Sequence, residues 1–234
     1  MAKLILIRHG QSLWNAVNKF TGWVDIPMSE RGRAEATIAS CKLRDGGYTI
    51  DICFTSMLIR AIETAIVCLT ECDEVCGGRL PYIWHDPADP DWHGWDQHIG
   101  DPADELKIIR SPALDERYYG DLQGLNKAEM AKKFGEQQVH LWRRSYHVQP
   151  PGGESLADTV KRTVPFFEQA IVPELKAGKN VLVAAHGNSL RSILMVLDRL
   201  SEDEVASLEL ATGVPIVYDV DAAGSFSNKQ VLAQ

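Results

Sequence analysis

Two histidines of this chain stand in the same local pattern. LILIRHG sets Arg8, His9 and Gly10 directly after four apolar residues, and VLVAAHGN sets His186, Gly187 and Asn188 after another apolar run. A neutral imidazole, with an ordinary pKa of about 6.5, keeps a nitrogen lone pair at neutral pH and can attack phosphorus or take a proton. Either histidine alone reads most simply as a core residue satisfied by hydrogen bonds. The repetition after two strand-like runs favours a shared site. Cations indicate its ligand: Arg8 itself, Arg60 in FTSMLIRAIETA, and Arg143 with Arg144 in LWRRSY. Guanidinium planes grip phosphate oxygens in pairs, each charge-assisted bond contributing about 1.5–3 kcal/mol. Any one of them could be a solvated surface charge. Gathered at strand ends in a chain of net charge −8, they point to a polyanionic, phosphate-bearing substrate. The sequence has no GxxxxGK[ST] loop and no Asp/Glu cluster with Mg²⁺ spacing, so Arg, Lys and His must meet the phosphate charge themselves and no metal is expected.

The elements that must position these residues alternate. Leu4–Ile7 and Val181–Ala185 have the apolar, β-rich character of strands buried on both faces, with Ile50–Thr55 a weaker third. Helical spacing is expected over Ser29–Arg44, Met57–Cys72, Ala157–Lys176 and Ser189–Leu200, and Ser201–Glu204 has the form of a capping box. Strands separated by helices predict an α/β fold, a mostly parallel sheet with helices on both faces. Ligands of such sheets bind beyond the carboxyl ends of the strands, so the two histidines face one space if their strands are neighbours. A glycine after each lets the backbone turn and approach a ligand.

At 234 residues, with 45% hydrophobic and 24% charged content, the chain is expected to form a single domain, residues 1–234. No apolar run approaches the roughly 18–20 residues of a membrane helix, and MAKLILI lacks the pattern of a signal peptide, so a cytoplasmic protein is expected. The acidic balance argues against nucleic acid or an anionic membrane as the main partner. The five cysteines read as reduced packing or surface residues, since Cys68, Cys72 and Cys76 follow helical rather than metal-binding spacing. Residues 77–112 break the rhythm with Pro, Gly, Asp, Trp and His and read as an insert, a turn-rich lid or interface. His85, His93 and His98 alternate there with Asp86, Asp89, Asp91 and Asp96, in a spacing that matches no metal site with a mechanism behind it.

RHGQSLWN, FTG, TSMLIRAIETA, ERYYGDLQGLNKAE, LWRRSY, PGGESL and AHGNSLR together resemble the cofactor-dependent phosphoglycerate mutases of the histidine phosphatase superfamily. RHG alone is shared with many phosphatases; ERYYGDLQGLNK with WRR is the more specific signature. The resemblance implies that His9 becomes phosphohistidine, that Arg8, Arg60 and His186 surround the transferred group, and that Glu116 is the general acid/base. It implies neutral donors from Asn15, Gly187 and Asn188. The substrate carboxylate and non-reacting phosphate fall to Thr21, Gly22, Tyr119, Lys127, Arg143 and Arg144, with Arg117 adjacent. The implied reaction exchanges 3- and 2-phosphoglycerate, primed by 2,3-bisphosphoglycerate and without a metal.

Two departures accompany the resemblance: the 77–112 segment is longer than the family's usual connection, and the chain ends soon after TGVPIVYDVD where many members continue into a tail. The identity of the active-site cover and the ratio of mutase to phosphatase activity therefore stay open, as does assembly into a homo-oligomer. Two other functions remain. A phosphatase of the same superfamily, acting on a sugar phosphate or bisphosphoglycerate, would not need ERYYGDLQGLNK and WRR. A non-catalytic phospholigand-binding module would not need His9 and Glu116.

Overall fold

The computed structural model describes residues 1–86, 88, 98 and 100–233. Its centre is one seven-stranded sheet of β1 (Ala2–Arg8), β2 (Ile52–Thr55), β3 (Leu80–Trp84), β4 (Glu105–Arg110), β5 (Val181–Ala185), β6 (Pro215–Val220) and β7 (Phe226–Val231), in the order β3-β4-β2-β5-β1-β6-β7. The five strands from β3 to β1 are parallel, and β6 and β7 add antiparallel partners beside β1. The expected mostly parallel α/β sheet is present.

Side-chain alternation explains the two covered faces. Leu4 and Leu6 of β1 join Val181, Val183 and Ala185 of β5 in a core with Leu190, Ile193 and Leu194 from the helix Gly187–Leu197. Ile5 and Ile7 join Leu182 and Ala184 in a second core with Ala36, Ala39 and Leu43 of the helix Glu30–Asp45 and Ala65 and Leu69 of the helix Ile59–Thr70. Successive strand residues point to opposite faces, so an unbroken apolar strand requires helices on both. Cys53, Cys68, Cys72 and Cys76 pack within the second core and Cys41 against it, all as free thiols.

The expected helices are found with boundaries moved by a few residues. Ser29 caps the helix Glu30–Asp45 through its side chain, and Ser201 with Glu204 forms the expected capping box on the helix Glu202–Ser207. The Ala157–Lys176 region is not one regular helix: Leu156–Phe166 passes through a π-helical turn, Phe167–Ile171, into Val172–Lys176. Pro165 and Pro173 lack the N–H that regular helix requires, which accounts for the local change of winding. The segment 77–112 is not only an excursion, because β3 and β4 lie within it and extend the parallel sheet. Trp92, Trp95 and His93 lie outside the described residues.

Candidate active site

β1 and β5 pair in register with Arg8 opposite Ala185, and the ladder continues one step as His9 N–H donates to Ala185 O at 2.9 Å. The two histidines therefore leave the sheet side by side, their ring centroids 4.9 Å apart. Helix packing holds the turn after His9 tightly. Gly10 N–H donates to Thr64 Oγ1, Ser29 N–H to Gln11 O, and a Cβ on Gly10 would meet Gly32 O at 2.2 Å. Gly10 thus serves the approach of the helix Glu30–Asp45, whereas a Cβ on Gly187 would find Arg8 Nε at an ordinary 3.6 Å. The close contact at Gly10 is with protein backbone rather than with a ligand.

His9 Nδ1 lies 2.7 Å from Gly10 O. A carbonyl only accepts, so Nδ1 carries the proton and Nε2 keeps its lone pair. Burial pushes the His9 pKa well below its ordinary value, and Arg60 and Arg8 push in the same direction. His186 is fully buried behind it, with Nε2 2.7 Å from Ser56 Oγ, and is lowered by burial, Arg60 and His9.

A cleft of about 100 Å³ opens on His9. It is lined by Arg8, Asn15, Thr21, Gly22, Arg60, Glu116, Tyr119, Lys127, Arg143, Arg144, Gly187 and Asn188, which brings together every site residue expected from sequence except His186. His186 reaches the site through the ring of His9 rather than by lining the cleft. Lys19, Phe20, Arg191 and Glu209 complete the wall. Seven cationic side chains thus face two carboxylates, in a protein whose net charge is −8.

The guanidinium groups are fixed from behind. Arg8 donates to Leu210 O at 2.7 Å, and Arg60 to Gly22 O and Val24 O at 2.7 and 3.1 Å. The buried Nε of each has no protein partner, nor has Thr21 Oγ1. Burial lowers Arg60 to about 10, which leaves it cationic at neutral pH. Such donors fit an anion with several oxygens.

Glu116 follows the one-turn 3₁₀ helix Pro112–Leu114. Its Oε1 accepts from Arg117 N–H at 2.7 Å, Asn188 Nδ2 at 2.7 Å and Asn188 N–H at 3.3 Å. Burial pushes its carboxyl up, but these hydrogen bonds and the charges of Arg60 and Arg8 outweigh burial and hold it below the usual range. A carboxylate and a neutral imidazole therefore share one cleft.

The far wall rests on a small core of Phe20, Leu122, Met130, Val139 and Trp142, against which Tyr119 packs. From it the helices Lys127–Phe134 and Glu136–Arg144 present Lys127 at a first turn and Arg143 and Arg144 at a last turn. Arg117 is fully buried, donates to Arg143 O and Tyr119 OH, and lies over the Tyr119 ring. Arg191, within AHGNSLR, was not singled out from sequence; it stands one turn after Asn188, whose Oδ1 it contacts at 3.1 Å. Helical i, i+3 spacing from Asn188 was the available signal. Ser56 gave none, because only the fold brings it to His186. None of the described residues of 77–112 lines the cleft. His98 pairs with Glu105, and His85 Nδ1 lies 3.4 Å from Arg110 Nη2.

Residues 4–76 and 97–226 match the model of the histidine phosphatase superfamily, branch 1. The chain is 67% identical to the 2,3-bisphosphoglycerate-dependent phosphoglycerate mutase 1 of Gloeobacter violaceus, with 99% of each chain covered. It is 63% identical to the 2,3-bisphosphoglycerate-dependent phosphoglycerate mutase of Gloeothece citriformis, covering 99% of this chain and 100% of the relative. Both comparisons thus span nearly the whole chain. Among solved structures, Bacillus stearothermophilus YhfR superposes with a TM-score of 0.73 at 24% identity, covering 97% of this chain and 95% of that one. A mycobacterial glucosyl-3-phosphoglycerate phosphatase has a TM-score of 0.71 at 21% identity, covering 99% and 97%. These solved structures share the fold; the full-length identities place the sequence more narrowly. The chain belongs to branch 1 of the histidine phosphatase superfamily and, within it, to the 2,3-bisphosphoglycerate-dependent phosphoglycerate mutases.

Proposed function

We propose that the chain interconverts 3- and 2-phosphoglycerate in the cytoplasm, passing the phosphoryl group through Nε2 of His9. The observation that carries this reading is the Nδ1 contact of His9 with Gly10 O, which leaves a buried lone pair on Nε2 beside Arg8 and Arg60. 2,3-Bisphosphoglycerate fits the cationic lining and the unpartnered Nε atoms of those arginines, and supplies the phosphoryl group that primes His9.

In the primed enzyme, Glu116 takes the proton of the free hydroxyl of a monophosphoglycerate. That oxygen bonds to phosphorus, the P–N bond breaks, and its electron pair returns to the His9 ring. In the return step the other phosphate of the same molecule meets Nε2: the N–P bond forms, the P–O bond breaks, and Glu116 gives its proton to the departing oxygen. Arg8 and Arg60 stabilise the equatorial oxygens in both directions, and His186 supports the His9 ring. Lys127, Arg143, Arg144 and Tyr119 hold the carboxylate and the phosphate that is not reacting, with Asn15, Thr21, Gly22, Gly187 and Asn188 as neutral donors.

A coupled assay of 2-phosphoglycerate formation tests this. Turnover of 3-phosphoglycerate should depend on a catalytic amount of 2,3-bisphosphoglycerate, whereas release of inorganic phosphate without isomerisation would assign a phosphatase instead. Because arginines supply the charge that a metal would otherwise supply, turnover should survive excess EDTA. Loss on chelation with recovery on added Mn²⁺ would contradict it.

A further inference from the structure

Glu116 sits in an irregular stretch between β4 and the first helix of the far wall, and one side chain far along the chain fixes that stretch. Arg162, on the helix Leu156–Phe166, directs Nη1 at the carbonyls of Pro112, Ala113 and Asp115 at 3.2, 3.1 and 3.0 Å, and Nη2 at the carbonyl of Glu116 at 3.0 Å. Nε and Nη2 also donate in a fork to Glu154 at 3.1 and 3.0 Å, and Glu154 Oε2 accepts the backbone N–H of Tyr118 at 2.9 Å. Thus every polar nitrogen of Arg162 is used, and the ion pair brackets Glu116 on both sides along the chain.

Trp23 covers this arrangement. Its ring lies 5.8 Å from the Arg162 guanidinium, and its Nε1 donates to the same Glu116 carbonyl. A fixed guanidinium fork suits such multiple acceptance; a lysine ammonium presents its donors from a single point. Arg162 does not line the cleft, so it cannot act on substrate directly.

We infer that Arg162, held by Glu154, is a positioning residue for proton transfer: it fixes the main chain from Pro112 to Tyr118 so that the Glu116 carboxylate meets both the Asn188 donors and the reacting oxygen. The inference rests on the proposed acid/base role of Glu116. Displacing that carboxylate removes the proton needed by an alkoxide leaving group. A p-nitrophenolate leaving group needs none, so the first-turnover burst of its release from p-nitrophenyl phosphate, before water must discharge phospho-His9, still reports attack by His9.

The test compares Arg162→Met, Arg162→Lys and Glu116→Gln with the wild type on 3-phosphoglycerate and on p-nitrophenyl phosphate. Arg162→Met should lower kcat for 3-phosphoglycerate by about 10²-fold, the scale of general acid–base catalysis. KM and the first-turnover rate of p-nitrophenol release should stay within about threefold, and Arg162→Lys should recover only part of the loss. Parallel loss on both substrates would mark a merely structural role and overturn the inference, as would unchanged kcat. Glu116→Gln separates the two ideas. If it lacks the same leaving-group dependence, the role of Glu116 is wrong; if it has it and Arg162→Met does not, only the clamp is wrong. Should Arg162→Met fail to fold, Glu154→Gln, which keeps the shape and weakens the fork, takes its place with the same expected selectivity and the same overturning results.

Discussion

Glu116 and His9 lie under the same two arginines, and the same charges serve opposite needs. Burial first, then Arg60 and Arg8, keeps the imidazole unprotonated. At the carboxyl, burial is outweighed by hydrogen bonds from Arg117 and Asn188 together with the same arginines, which keep it ionised. These are the states that the proposed acceptance of a phosphoryl group and of a proton requires. In the proposed reaction a bound polyanion would offset those cations and raise the affinity of Glu116 for a proton, as its acid role in the return step requires. Glu116→Gln keeps the shape and accepts from Asn188 but cannot move a proton. Its kcat should fall by about 10²–10⁴-fold with KM changed much less, as steady-state kinetics would measure; a change confined to KM would contradict the role. The residues that were legible were those marked by a strand end or by a motif with several fixed positions. Ser56 and Arg162 were not, because a serine and an arginine are ordinary surface residues until distant segments meet them.

Elements were legible where burial wrote a clear period into the chain. β1 and β5 are buried on both faces and show unbroken apolar runs. β4 alternates too, with Leu106 and Ile108 buried between more exposed neighbours, but Pro, Trp and Gly around it hide a six-residue signal. β7 reads SNKQ along most of its length and is largely exposed; its pairing comes from β6, which no local pattern states. The RHG turn itself depends on two helices. Gly10→Ala puts a Cβ 2.2 Å from the backbone oxygen of Gly32, which cannot rotate away. Guanidinium unfolding should find it destabilised by about 1–3 kcal/mol, the cost of overpacking. Gly187→Ala, with no neighbour nearer than 3.6 Å, should stay within about 1 kcal/mol of the wild type. Equal effects would contradict the assignment of the close contact.

For the whole molecule, the buried cluster couples stability to pH. Native His9 and His186 resist protonation, so below about 6.5 the unfolded chain binds protons that the folded chain refuses, and stability falls on acidification. Asp115 works the other way: burial pushes it up to about 6, so the native state gains a proton there before the unfolded state does and offsets part of the loss. Glu116 adds a loss only below its ordinary carboxyl range. His9→Gln removes one refused proton. Between pH 7 and 5.5 its stability should fall less than the wild type's by about 1 kcal/mol, measured by denaturant unfolding at the two pH values. An identical fall in both proteins would contradict a neutral, buried His9.

Parallel strands, the glycine turn, the cations and Glu116 meet around His9, and the proposed function makes its Nε2 the reacting atom. The protein should be mixed with 2,3-bisphosphoglycerate, digested under alkaline conditions that preserve phosphoramidates, and mapped by mass spectrometry. An acid-labile phosphate on His9, absent from His9→Ala, is expected. Label retained by His9→Ala, or found on His186 or on a serine, would contradict phosphoryl transfer through His9.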